Sequence, residues 1–365
     1  MSRFTGQVRI VGAGLLGSSI GLALRAKGVD VILHDSSKGT LTLAVDYGAG
    51  RRTESGDAPD LIVVAVPPDE TADVVADELQ TWPTALVTDV ASVKAGILAD
   101  LHSRGADTAR YLGSHPMAGR ERGGPISARA DLFLGRPWVI CPHEQSTPQQ
   151  RRLLEDLALD LGAVPVEMAP DEHDRSVALV SHVPQLISSL LAHQLSGASD
   201  KAVGLAGQGL RDTTRIASSS PDLWVQILAA NAPAVTEALR SYRDDLDEVI
   251  GALENQQATG SRRIVAEAIA RGNDGVARIP GKHGQAKQFS AIVVMVNDRP
   301  GELARLLADL GEEPGELGVN MEDLHLEHSP GAQFGLAEIA VLPEAEKRLV
   351  AELEARGWKI AGEQE

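Results

Sequence analysis

Val8-Arg9-Ile10-Val11-Gly12-Ala13-Gly14-Leu15-Leu16-Gly17 decides the fold of the first half of this chain. An apolar strand runs directly into G-x-G-x-x-G, and helical periodicity follows. Gly12 permits the tight turn out of the strand. Gly14 lets a pyrophosphate approach the backbone without a Cβ in the way, and Gly17 lets the new helix pack closely on the sheet. The start of that helix, at Leu15 and Leu16, offers free N–H groups and a positive dipole end to phosphates. The helix covers 15–27 and ends before Gly28, a capping glycine. A second strand over 29–34 ends at Asp35, where a carboxylate meets the ribose 2′-hydroxyl of a dinucleotide. Asp35 repels a 2′-phosphate and so favours NAD over NADP, while Ser36, Ser37 and Lys38 leave NADP open.

Strands and helices then alternate. Residues 61–66 form a continuous apolar run, as expected of a parallel strand buried on both faces. Val66 and Pro67 lie at its carboxyl edge, on the cofactor side. A helix over 71–79, a strand over 85–88 ending at Asp89, and a short strand over 111–113 ending at Ser114-His115-Pro116 follow. Strands over 138–141 and 164–168, with a helix over 148–161 between them, complete an α/β Rossmann domain of residues 1–170.

From 171 to 275 helical periodicity dominates and an all-α domain is expected. Residues 176–195 carry an apolar stripe at Val177, Val180, Val183, Ile187, Leu190 and Leu191. A second helical stretch over 222–256 carries Leu223, Ile227, Leu246 and Leu253, and Pro233 predicts a kink or break in it. By fold-level analogy such a domain completes a substrate site and supplies a homodimer interface. Residues 276–288 read as a polar linker. The last unit, 289–365, is α+β with the order βαββαβ.

Composition bounds the function. The chain has 365 residues and a net charge of −17, which argues against nucleic acid or an anionic membrane as partner. An anionic substrate must therefore be held by a local basic pocket. A single cysteine, Cys141, excludes a disulfide framework and fits a reducing cytoplasm. It follows Trp138-Val139-Ile140 and reads as the end of a buried strand. No apolar run is long enough to span a membrane and no signal peptide precedes the first strand.

Catalytic groups in an open α/β sheet belong at the carboxyl ends of strands. His115 sits at such an end, pinned by Pro116, and a histidine of ordinary pKa accepts a proton at neutral pH. Ser92, in Asp89-Val90-Ala91-Ser92-Val93-Lys94, is placed to hold the imidazole or a substrate hydroxyl. In the helical domain, Arg211 and Arg215 at i and i+4 share one helix face, with Asp212 placed to orient Arg215. Guanidinium groups grip a carboxylate bidentately, so this set reads equally as a carboxylate site or a solvated surface pair. Asp171-Glu172-His173-Asp174-Arg175 reads as the acidic start of a helix, and no metal site is expected.

In combination these motifs resemble the prephenate/arogenate dehydrogenase family of tyrosine biosynthesis. The matches are VGAGLLGSSIGLAL at 11–24, DVASVK at 89–94, GSHPMAGRERGG at 113–124, SHVPQ at 181–185 and LRDTTRIASSSPDLW at 210–224. The turn NDRPGELARLL at 297–307 resembles the ligand-binding turn of ACT regulatory domains; the other reading of that unit is an assembly domain. The resemblance implies oxidative decarboxylation of a cyclohexadienol, with hydride passing to NAD. It implies that His115 polarises or deprotonates the ring hydroxyl, supported by Ser92. Arg215 would hold a substrate carboxylate, with Asp212 steadying it and Arg211 beside it. Glu121 would be a gate or supporting acid, and Ser181, His182 and Trp224 would line the substrate pocket. Asn297, Arg299 and Gly301 would meet an aromatic amino acid effector. Several prephenate-using members have a second histidine where this chain has Gln185. A neutral amide suits the keto group of prephenate and the ammonium of arogenate alike. Prephenate is the favoured reading, arogenate the alternative, and a non-catalytic NAD and amino-acid sensor the alternative from another class.

Overall fold

The structure is a computed structural model. It describes residues 2–119, 123–279, 289–311, 320–327 and 333–361. Glu121 and most of the expected linker lie outside the described residues. The chain forms two compact units, residues 1–198 with 213–243, and residues 199–212 with 244–365. The helical stretch is thus shared between the two units.

In the first unit, strands β1 (Gln7–Val11), β2 (Asp30–His34), β3 (Arg51–Arg52), β4 (Leu61–Val64) and β5 (Leu86–Asp89) make a parallel sheet in the order β3-β2-β1-β4-β5. Parallel strands need crossover helices on both faces, and the burial pattern shows that both faces are covered. Val8, Ile10, Leu61 and Val63 enter one core, while Val11, Ile62 and Val64 enter the other. Arg9 shares the face of Val11. Its guanidinium meets Glu78 on helix Pro68–Thr81 through two hydrogen bonds, at 2.8 and 2.9 Å.

Strands β6 (Gly113–Pro116), β7 (Pro137–Cys141) and β8 (Val164–Glu167) form a second sheet, with β6 antiparallel to β7 and β7 parallel to β8. Tyr111 makes only an isolated bridge to Val87. The expected strand over 111–113 is therefore displaced toward the C-terminus, and His115 lies within β6, opposite Val139, not beyond a strand end.

Helix Pro170–Val177 continues through a π-helical segment, Ala178–His182, into helix Val183–Gln194. Val183 N donates to Ala178 O, five residues back, and Pro184 after it has no N–H to give to the carbonyl four residues back. The extra residue changes the phase of the apolar stripe. Val177 and Val183 are buried, whereas Val180, Leu190 and Leu191 are exposed. The expected helix over 222–256 breaks at Asn231, between Pro221–Ala230 and Ala232–Glu254, because Pro233 cannot donate to the preceding turn.

The second unit holds the expected βαββαβ order. Strands β9 (Ser290–Asn297), β10 (Asp323–Glu327), β11 (Phe334–Val341) and β12 (Lys359–Ala361) pair antiparallel in the order β10-β11-β9-β12. Helices Glu302–Gly311 and Pro343–Ala355 contribute Leu306, Leu310, Leu349 and Leu353 to its core. Among the described residues no helix is long and apolar enough to cross a membrane.

Candidate active site

A cavity of about 760 Å³ opens at the carboxyl end of the parallel sheet. Gly14, Leu15, Leu16, Val66 and Pro67 form one side, Ser92 and His115 the floor, and Ser181, His182 and Trp224 the other side.

The glycine loop fits a dinucleotide on its own geometry. Gly12 has φ +98°, and a Cβ there would lie 2.4 Å from Ala65 O. A Cβ on Gly17 would lie 1.9 Å from Gly12 O, so close packing of helix Leu15–Ala26 on the loop requires glycine. A Cβ on Gly14 would meet no protein atom within 4 Å. That space faces the cavity, and no side chain caps the helix that starts there. Its first N–H groups are therefore available to a phosphate. Asp35 Oδ2 accepts from Ala13 N at 2.8 Å and Oδ1 from Ser37 N at 2.8 Å. Asp35 thus fixes the loop path as well as standing at the expected ribose position. The remaining oxygen lone pairs are enough for a hydroxyl.

His115 is held from behind. Its Nδ1 lies 2.9 Å from His173 Nε2, and His173 Nδ1 lies 2.8 Å from Asp174 Oδ1. Asp174 also caps helix Ala95–Ser103, accepting from Lys94 N at 2.8 Å and Ala95 N at 2.9 Å. The Lys94 ammonium is buried against the Asp89 carboxylate and donates to Ser114 O at 2.7 Å. Tyr111 donates to the other oxygen of Asp89 at 2.6 Å. Burial lowers the His115 pKa well below the ordinary histidine value, and the neighbouring His173, Lys94 and His182 push the same way. Ser92 lines the cavity beside it.

The π turn delivers Ser181 and His182 to the cavity. The His182 ring meets Trp224 edge-on at 6.1 Å between centroids. Its Nδ1 lies 3.1 Å from Asn231 Nδ2, which also donates to Asp174 O at 2.8 Å. Burial brings the His182 pKa down to about 4, against the attraction of Asp174.

Several expected groups are placed elsewhere. Gln185 is buried, donates to Ser189 Oγ at 3.3 Å, accepts from Ser219 at 3.4 Å, and does not line the cavity. Arg211 and Arg215 do not lie on one helix. Helix Gln208–Thr214 ends before Arg215, which begins a separate 3-10 turn, Arg215–Ala217. Arg215 is exposed and outside the cavity lining. Asp212 accepts from Gln208 at 2.9 Å. In the second unit, Asn297 ends β9, Arg299 is exposed, and Gly301, at φ +93°, leads into helix Glu302–Gly311.

His173, Asp174 and Asn231 were not legible as site residues. Asp171 and Glu172 do sit in the acidic first turn of a helix, as that segment suggests. His173 and Asp174, on the same short segment, are nevertheless buried. The usable signal was the break that Pro233 imposes, which leaves Asn231 outside regular helix.

Comparisons with known proteins identify the family. Residues 20–167 match the family model described as prephenate dehydrogenase, nucleotide-binding domain, and residues 169–267 match the one described as prephenate dehydrogenase, dimerization domain. The chain is 36% identical over 358 residues to "Probable prephenate dehydrogenase NovF" of Streptomyces niveus, covering 96% of this chain and 98% of that protein. The crystal structure of Synechocystis arogenate dehydrogenase is similar with a TM-score of 0.62 at 28% identity, covering 74% of this chain and 99% of that one. The fold is shared by the prephenate dehydrogenase of A. aeolicus, solved with hydroxyphenyl propionate and NAD+. That likeness has a TM-score of 0.66 at 24% identity over 75% of this chain and 99% of the other. The chain belongs to the prephenate dehydrogenase family, whose members are NAD-dependent oxidoreductases.

Proposed function

We propose that this protein is an NAD-dependent prephenate dehydrogenase that converts prephenate to 4-hydroxyphenylpyruvate. The observation that carries the reading is His115, neutral and half-buried on the cavity floor between the glycine loop and the π turn. NAD supplies the hydride acceptor when bound. His115 Nε2 takes the proton of the ring hydroxyl, and the His173–Asp174 pair behind it supports the imidazolium that forms. Ser92 holds the hydroxyl or the imidazole. Ser181, His182 and Trp224 shape the pocket, and loss of carbon dioxide makes the ring aromatic, so the residues need only position groups and stabilise charge.

Arg215 is proposed as the carboxylate grip, with Arg211, Asp212 and Glu121 in supporting roles. With Gln185 turned to Ser189 and Ser219, the choice between prephenate and arogenate falls to other groups. An assay of NAD and NADP reduction with prephenate and with arogenate tests the reading. Reduction of NAD with prephenate supports it, reduction only with arogenate transfers it to the related activity, and reduction with neither overturns it.

The proposed working divisions are residues 1–170, 171–275, a linker over 276–288, and 289–365, in a cytoplasmic homodimer. Exposed Leu179, Val180, Leu190 and Val225 of the helical region support the dimer. The turn at Asn297, Arg299 and Gly301 is proposed to meet an aromatic amino acid that inhibits. Deleting residues 289–365 should keep activity and remove inhibition by tyrosine. Inhibition that persists would place tyrosine in the catalytic cavity.

A further inference from the structure

Two histidines line one cavity, and their inner nitrogens face opposite kinds of partner. Asp174, which accepts from two main-chain N–H groups, presents lone pairs to His173. His173 therefore donates from Nδ1 and accepts at Nε2. His115 must then donate from Nδ1, at 2.9 Å, which leaves the Nε2 of its neutral ring as a lone pair.

The order around His182 is reversed. Asn231 donates to the main-chain carbonyl of Asp174, an atom that only accepts, so the amide nitrogen must be on that side. The second hydrogen of the same nitrogen points at His182 Nδ1, 3.1 Å away. That atom accepts, and the proton of the neutral ring lies on Nε2. Asp174 anchors both arrangements, one through its carboxylate and one through its carbonyl.

We propose that Asp174 and Asn231 are positioning residues that fix the two cavity histidines in opposite tautomers, so that the cavity offers its substrate one acceptor at His115 Nε2 and one donor at His182 Nε2. The substrate's identity rests on the proposed function; the tautomers do not. A cyclohexadienol has both complements, a hydroxyl proton to give up and carboxylate or carbonyl oxygens to accept. Both rings are kept neutral by burial. The titratable and polar groups around His182 are Asp174, His173 and His115, with Asn231 and the Trp224 ring. Those around His115 are His173, Lys94 and His182.

The test is nitrogen NMR of the full chain carrying 15N-labelled histidine, near neutral pH, joined to kinetics of N231D. In the native protein His115 should carry its proton on Nδ1 and His182 on Nε2. N231D replaces the donor by an acceptor, so His182 should move its proton to Nδ1 and titrate at higher pH. In that variant kcat should fall about tenfold with NAD affinity kept. A proton on His182 Nδ1 or on His115 Nε2 in the native protein overturns the proposal, whether or not N231D folds. A folded N231D with unchanged tautomer, kcat and pH profile also overturns it. Absence of turnover with prephenate and arogenate overturns the proposed reaction instead, while the same spectra still decide the tautomers.

Discussion

The two walls of the cavity are built from different materials. The nucleotide wall is main chain: Gly12, Gly14 and Gly17 shape a path, and the first turn of one helix supplies the donors. The histidine wall is side chain, assembled from β6, helix Pro170–Val177, the π turn and the break at Asn231. A main-chain wall depends on the space around three glycines. A side-chain wall depends on the order of donors and acceptors, which one atom exchanged between oxygen and nitrogen can reverse.

The largest expected effect lies on the histidine wall. H115N removes the base and should lower kcat by about 10³-fold, within the range general-base catalysis supplies. The NAD dissociation constant, read by fluorescence titration, should stay as it was. A parallel loss of NAD affinity would mean that the walls are not independent.

Next in size are two alanine substitutions on the nucleotide wall. G14A adds a Cβ into space that no protein atom occupies. It should leave Tm unchanged and weaken NAD by at least about tenfold, because that space belongs to the ligand. G17A forces a Cβ to 1.9 Å from Gly12 O, so the helix must shift. It should lower stability by about 1–3 kcal/mol as well as weakening NAD. Thermal melts of both variants without ligand separate the two cases, and equal Tm values would show that the helix moves freely.

The smallest effect is on pH dependence. Both cavity histidines have depressed pKa values, His182 at about 4. Each must be neutral to play its part, so kcat/KM should rise with pH and level off below the ordinary histidine pKa of about 6.5. A rate profile still climbing above that value would place the controlling group elsewhere. Stability follows the same sign. The folded state binds fewer protons at these sites than the unfolded one, so their contribution is complete above about pH 6.5 and fades as pH falls through the folded values. An acid titration of Tm checks this.

The nucleotide wall was almost wholly legible, because its requirements are local. Strand β1, the glycine spacing and Asp35 fall within 30 residues of one another. The histidine wall was half legible. His115, Ser92, Ser181, His182 and Trp224 were expected together, and the cavity brings them together. Gln185 was expected there and is not, because the π turn shifts the phase of the helix that carries it. The pairing of Arg211 with Arg215 assumed one continuous helix, and the helix stops at Thr214.

The sequence by itself determined the strand–glycine–helix unit, the alternation that makes a parallel sheet, the break at Pro233 and the order of the last domain. Each follows from backbone rules that act over a few residues. Only the tertiary structure decided which protons face the cavity. His115 and His173 are 58 residues apart in the chain, and Asp174 and Asn231 are 57 apart. The tautomer of a histidine is set by the partner of its other nitrogen, and periodicity carries no information about that partner.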